Sequence, residues 1–177
     1  MAIYFTADTH FGHSNIIKYC SRPFGSVEEM DETLIENWNK KVNQRGDTVY
    51  HLGDFAKAHK AEDVRRYREQ LNGKIILIEG THDNFDNRNE CGFTLISPLK
   101  TIKYDGVSIT LCHYALRVWP KSHFDMWHCF GHSHGRLEPI GKSWDVGVDN
   151  NAFSPVSFDE LSLIMKNRPH NVNLIVK

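Results

Sequence analysis

"KIILIEGTHDN", Lys74–Asn84, is the stretch whose reading decides the fold. Lys74–Glu79 is an apolar run with no polar alternation, the pattern of a strand buried on both faces. The chain then turns polar at once, through Gly80, Thr81, His82, Asp83 and Asn84. Upstream, Thr48–Leu52 and Ile3–Ala7 read as two further strands. Between them, Ser26–Asn43 is predicted helical. Val27, Met30, Leu34, Trp38 and Val42 recur at helical spacing, and Ser26 with Glu29 forms a capping box. The segment Asn43–Asp47, "NQRGD", breaks that pattern. Ala61–Leu71 is a second helix, with Val64, Tyr67 and Leu71 on one face and Asn72-Gly73 as its stop. Strand, helix, strand, helix, strand predicts a parallel α/β arrangement.

Downstream, Lys100–Tyr104 and Val107–Cys112 flank Asp105-Gly106, a hairpin signal. Met126–Phe130 and Ser143–Val148 read as strands. Ser157–Lys166 reads as a helix with Ser157 and Glu160 as a second capping box, and Asn173–Val176 as an added edge strand. A parallel half is therefore expected to meet a more antiparallel half, with helices over the outer faces.

The 177 residues suit one domain spanning residues 1–177. Hydrophobic residues make up 40%, charged residues 24%, and the formal net charge is −1, so no polyanion-binding surface is signalled and nucleic acid is not an indicated partner. No apolar stretch approaches the ~20 residues of a membrane span, and no signal peptide is expected. Cys20, Cys91, Cys112 and Cys129 have no CxxC spacing, which suits reduced thiols in a cytoplasmic protein. Histidine is the outlier. Its 11 copies exceed the counts of proline, tyrosine and phenylalanine, and imidazole is the commonest transition-metal ligand.

These histidines collect where strands end. Asp8 and His10 follow the first strand, and Asp54 follows His51-Leu52-Gly53. His82 and Asp83 follow the third strand, His113 the hairpin, and His132 and His134 the Met126–Phe130 strand. In extended chain Asp8 and His10 would point the same way, as would His132 and His134. One such Asp is ordinarily a turn residue and one such His a satisfied polar group. Five clusters at the same structural position call for a cation, because carboxylates and imidazoles packed together without one cost several kcal/mol. Strand carboxyl ends also line the ligand crevice of open α/β sheets. Mixed Asp/His ligation suits Mn²⁺ first, with Fe²⁺, Zn²⁺ or Ni²⁺ also admissible, and the ligands are too many for one ion.

In order, DTH, GD, GTHD, H and GHSH resemble the calcineurin-like metallophosphoesterases of the small bacterial and phage type, whose pattern is DxH, GD, GNH[DE], H and GHxH. The likeness covers about three quarters of the 177 residues, Asp8 to His134. It implies a mixed α/β fold, a four-layer αββα sandwich of two mixed β-sheets flanked by helices, with two divalent transition-metal ions between the sheets. By position, Asp8, His10, Asp54 and His134 would hold the first ion, and Asp54, His113 and His132 the second, with Asp54 bridging. Water between the ions would attack phosphorus, His82 would protonate the leaving oxygen, and Asp83 would hold the His82 ring. Thr81 stands where the family has Asn, a metal ligand, so the second site is expected to be weakened. The acidic residue often found soon after GD is missing from GDFAK.

His13 lies beyond the motif, where orienting a ligand, touching phosphate and capping the next segment all remain open. Arg117, Arg22 and Asn84 are candidates for substrate contact. Trp119, Trp127 and Tyr114 are candidates for base stacking. Asp149 is a candidate to orient a ligand histidine, with a turn role as the alternative. The expected substrate is a small phosphodiester or nucleotide. A phosphomonoesterase and a catalytically weak binding scaffold are the competing readings.

Overall fold

The computed structural model of the protein describes residues 1–43 and 46–175. Its first sheet takes the strands β1 (Ile3–Thr6), β2 (Thr48–His51), β3 (Lys74–Ile78) and β4 (Leu95–Ser97), all parallel, in the order β4-β3-β2-β1. A two-residue strand, Val156–Ser157, closes the β1 edge antiparallel. The second sheet takes β5 (Leu99–Tyr104), β6 (Val107–Cys112), β7 (Trp127–Phe130) and β8 (Ser143–Asp145) in chain order; the edge strand Val156–Ser157 is β9. Only β5 and β6 are antiparallel, while β6, β7 and β8 are parallel. The expected antiparallel half is thus limited to one hairpin. Its turn is the expected one, because Asp105 and Gly106 both have positive φ, 45° and 78°. The fold is the expected mixed α/β one with two mixed sheets, and the described residues hold four α-helices where three were expected.

Four α-helices surround the sheets: α1 (Ser14–Tyr19), α2 (Val27–Lys41), α3 (Ala61–Arg68) and α4 (Phe158–Asn167). Met30, Leu34 and Trp38 of α2 and Val64 of α3 bury against Val49, Ile75 and Leu77 on the outer face of the first sheet. Each such side chain contributes about 1.5–3 kcal/mol by leaving water. Phe5 and Ile78 meet Ile109, Leu111 and Cys129 in the core between the sheets, which α4 closes with Phe158, Leu161 and Met165. On the far face of the second sheet, Thr110 and His128 lie under the irregular 114–126 segment. There the Trp119 ring sits 5.2 Å from that of His128, so this layer is a loop with a 3₁₀ turn.

Ser157 and Glu160 form the full reciprocal capping box of α4. At α2 only half of the box exists. Ser26 accepts the Glu29 N–H, but the Glu29 carboxylate accepts from Gly25 instead. The Ser143–Val148 strand stops at Asp145, and Val148 begins a 3₁₀ turn. Asn173–Ile175 is turn and irregular chain rather than a strand, and Val176 lies outside the described residues, as do Gln44 and Arg45 of the expected break. The α1, β4 and β9 elements carry no clear pattern in the sequence, having six, three and two residues.

Register sets the functional edge. Thr6 pairs with His51 and His51 with Leu77, so β1, β2 and β3 end level. In the second sheet Leu111 pairs with Cys129 and Cys129 with Trp144. A bridge from Ala7 to Gly147 then ties the two ends together.

Candidate metal centre and active site

The loops leaving these strands are stitched together through their backbones. Asp8 N–H donates to Gly53 O (2.9 Å), His10 N–H to Asp54 O (3.0 Å), Gly131 N–H to His113 O (3.0 Å) and Val148 N–H to Ala7 O (3.0 Å). The chain passes so closely that a Cβ on Gly80 would lie 2.4 Å from the Asp54 nitrogen. A Cβ on Gly131 would lie 2.7 Å from Asp8 Oδ2. Glycine is required at both positions.

Asp8, His10, Asp54, His132 and His134 all have positive φ, between 49° and 68°. That conformation is uncommon for residues with a Cβ and clusters at functional sites. It also corrects one expectation. Asp8 and His10 converge through left-handed turns, not through the alternation of an extended chain, and the same holds for His132 and His134.

Two groups of side chains gather here. Donor atoms of Asp8, His10 and His134 lie within 4.8 Å of one another, as do those of Asp54, His113 and His132. Asp54 Oδ2 sits between the groups, 3.5 Å from His10 Nε2 and 3.6 Å from His113 Nε2. The imidazoles are held from behind. His113 Nδ1–H donates to Leu52 O (2.7 Å), His134 Nδ1 meets Asp149 Oδ2 (2.8 Å), and His10 Nδ1 lies 3.4 Å from His13 Nδ1. Tying one ring nitrogen leaves the other as a donor, the usual state of a ligating histidine. His10 Nε2 is buried with no hydrogen-bond partner. An orphaned imidazole nitrogen facing a carboxylate fits a divalent cation between them.

The electrostatics agree. Burial drives the Asp8 carboxyl well above its ordinary value, and neighbouring Asp145 and Asp54 push it further. Asp8 is nevertheless set up as an anion, accepting His132 N–H at 2.9 and 3.1 Å. Burial lowers His10 and His113, keeping both imidazoles neutral. A cation would reverse the penalty on the carboxylates and use the neutral imidazoles as donors.

Asp83 departs from its expected role. Its carboxylate accepts the backbone N–H groups of Asp54 (2.8 Å), Phe55 (2.9 Å) and Gly80 (2.8 Å), so it positions the Asp54 loop rather than the His82 ring. Burial lifts its carboxyl to about 6 against those three bonds. His82 is exposed and lines the cavity, and its backbone N–H donates to Asp54 Oδ1 at 2.8 Å.

Arg22 is not among the residues lining the metal-side cavity. It is buried, pairs through both arms with Asp149 (2.8 Å each), and donates to Asp8 O (2.7 Å) and Thr9 O (3.1 Å). Burial raises the Asp149 carboxyl, but bonds from His134 and Arg22 outweigh it and hold the group below its ordinary value. The orienting role of Asp149 is therefore the one the geometry fits. Arg117 lines a separate cavity with Leu137 and Ile140. Asn84 is exposed and is not among the residues lining the metal-side cavity. His13 precedes α1 but makes no side-chain cap; it touches His10 and also lines the cavity, so the orienting and phosphate-contact roles both stand. Thr81 Oγ1 lies 3.2 Å from Tyr114 Oη, and the Tyr114 ring packs 5.0 Å from those of His113 and His132. Trp119 is buried, donating Nε1–H to Met126 O, and Trp127 packs in the core.

Several residues here went unread in the sequence. Buried Asp145 accepts from Ser133 Oγ, Gly135 N–H and Gly147 N–H, fixing the GHSH loop beside Asp8. Cys20 places its sulfur near His134 and Asp149. Tyr19, Lys57 and Arg136 line the cavity of about 580 Å³ that opens over His10, His82 and His134. Unlike Asp149, which follows an apolar run, none of these carried a signal in the sequence.

A protein of Methanocaldococcus jannaschii, the uncharacterised MJ1445, is 40% identical over 165 residues, covering 89% of this chain and 87% of its own. The crystal structure of AQ665 from Aquifex aeolicus, a protein of unknown function, superposes with a TM-score of 0.71 at 26% identity, over 92% of this chain and 98% of that one. Residues 1–144 match the calcineurin-like phosphoesterase superfamily domain, a span that contains all five strand-end loops, and the chain belongs to that family.

Proposed function

We propose that the protein is a metal-dependent phosphoesterase acting on small phosphodiesters or nucleotides. One observation carries the reading. Asp54 Oδ2 lies 3.5 and 3.6 Å from the Nε2 atoms of His10 and His113, between two ligand groups, on the wall of a cavity that His82 also lines. Asp8, His10 and His134 would hold one divalent cation and Asp54, His113 and His132 a second, Mn²⁺ being the favoured ion. Bound there, such ions supply Lewis-acid stabilisation of a phosphoryl group and acidify water.

The remaining work falls to the chain. Hydrolysis forms one P–O bond from water and breaks one ester P–O bond, and the departing oxygen needs a proton. His82, exposed beside the ligand groups, is placed to supply it. General acid help of this kind is worth about 10²–10⁴-fold. Asp83 fixes the Asp54 loop against the His82 backbone, and His13 and Asp149 set the rings of His10 and His134. The cavity of about 580 Å³ has room for substituents on phosphorus, which favours a diester. The four free thiols suit a reducing compartment, the cytoplasm.

The test compares bis(p-nitrophenyl) phosphate, p-nitrophenyl phosphate and an alkyl-leaving-group diester, with Mn²⁺, in the wild type and His82→Ala. The diester should be preferred. His82→Ala should impair the alkyl ester far more than the nitrophenyl ester, which leaves readily without a proton. Preference for the monoester would make the protein a phosphomonoesterase. Turnover of none of the three would leave a binding scaffold.

A further inference from the structure

Beyond the metal-side residues, the cavity has a second half that the phosphoesterase reading does not use. Its wall is α1 and the residues flanking it. His13 stands at one end, and Tyr19 and Cys20 at the other. Two cations frame this half. Lys57 is exposed and close enough to His13 to hold its imidazole below the ordinary value, after the larger effect of burial. Arg136 is exposed at the other end, where it donates to the Tyr19 carbonyl oxygen. Neither cation has a carboxylate within ion-pair distance among the described residues, and Asp54, a proposed metal ligand, is the only acidic side chain lining the cavity. Tyr19 presents an aromatic face, 63% exposed.

We infer that this half of the cavity binds the organic portion of a nucleotide phosphodiester that carries a second phosphate, with the long side chains of Lys57 and Arg136 closing on that phosphate from the two ends of α1 and Tyr19 stacking on the base. The inference rests on the phosphoesterase reading and deepens it. Three physical facts support it. The volume is that of a site for a drug-sized ligand rather than a bare phosphate. Cations without a carboxylate partner, facing a cavity whose one acidic side chain among the described residues is the proposed metal ligand Asp54, attract an anion, and the Arg136 fork has N–H groups beyond the one on Tyr19. An exposed ring beside a phosphate site is a stacking platform indifferent to base identity.

The test uses two matched substrates, thymidine 5′-(p-nitrophenyl phosphate) and its 3′-phosphorylated form. Both release p-nitrophenol by the same step, and they differ only in the second phosphate. The 3′-phosphate should raise kcat/KM about tenfold through a lower KM, an advantage that should shrink below about threefold in Lys57→Ala/Arg136→Ala and as salt rises. A second arm needs no turnover. Thymidine 3′,5′-bisphosphate and thymidine 5′-phosphate are titrated into the metal-loaded protein by calorimetry. The bisphosphate should bind about tenfold more tightly, and the double variant should abolish the difference. Equal kcat/KM for the two substrates with equal affinity for the two ligands would overturn the inference while leaving the phosphoesterase reading standing. An advantage for the second phosphate that survives in the double variant would overturn the assignment to Lys57 and Arg136. If nothing is hydrolysed, the phosphoesterase reading fails and the calorimetric difference alone decides the subsite.

Discussion

At Arg22 a single side chain joins three parts of the site. Its guanidinium holds the backbone of Asp8 and Thr9, in a turn where Asp8 and His10 take left-handed φ, and grips Asp149, which in turn orients His134. Removing it takes away the cationic partner of Asp149 and leaves that carboxylate only its bond to His134, and breaking such a pair typically costs about 3–5 kcal/mol. Arg22→Ala should therefore lower the urea midpoint sharply. Arg22→Lys keeps the charge but not the fork, and should still weaken Mn²⁺ binding about 10–100-fold by calorimetry, the usual effect of losing an outer partner of a ligand. Affinity unchanged in Arg22→Lys would show that the clamp does not set the ligands. Thr81 gives the opposite kind of test. Its hydroxyl faces Tyr114 beside His113 and His132, where an amide would reach further. Thr81→Asn should tighten the weaker of two Mn²⁺ binding events, and an unchanged titration would remove Thr81 as the cause of any weakness. At this scale the ligand types were legible, since each sits just past an apolar run. The roles of Arg22 and Asp83 were not, because their partners lie 127 and 28 to 29 residues away in the chain and are fixed only by folding.

Helix α2 carries a different signal. Its Asp31 is buried against the DTH loop and accepts Gly12 N–H at 3.0 and 3.2 Å. Burial lifts its carboxyl from 3.8 to about 6, with the bonds from Gly12 and the Tyr67 hydroxyl opposing the rise. A carboxyl whose folded value exceeds its unfolded one disfavours the folded state once ionised. Its penalty is absent below pH 3.8, grows up to about 6 and persists above it. Asp31→Asn should be more stable than the wild type near pH 7.5 by about 2 kcal/mol, with the difference vanishing toward about pH 4. A difference that does not change with pH would contradict this. The long elements were readable because periodicity and caps accumulate over them, as in the 15 residues of α2. Short ones give no such sum. Six-residue α1 lacks even a side-chain cap, and it is held by Ile16 and Ile17 packing against the first core and by the Arg136 contact. The β6–β7–β8 run was misjudged for a similar reason, since its connections are loops rather than helices and carry no parallel signature.

Across the whole molecule, two sheets bring level strand ends to one edge, and the price is a group of carboxylates sharing low-dielectric space. Burial, with Asp145 and Asp54 close by, raises the cost of ionising Asp8. The metal-free protein should therefore lose stability as pH rises above about 4, where the unfolded chain releases the Asp8 proton that the folded one still holds, and divalent cations should restore it most at high pH. Mn²⁺ at about 100 times its Kd should contribute about 2.7 kcal/mol, or a Tm increase of about 5–10 °C. A gain that shrinks as pH rises would oppose that account. Convergence of the five loops was the part of the whole that the sequence made plain, because one residue class recurred at one structural position. The cavity beyond them was not, since Tyr19, Lys57 and Arg136 read as ordinary surface until α1 is in place. The most direct measurement is anomalous diffraction from crystals soaked in Mn²⁺. Two peaks are expected, one among Asp8, His10 and His134 and one among Asp54, His113 and His132, with Asp54 touching both. Peaks elsewhere on the molecule, or none at saturating Mn²⁺, would contradict the account.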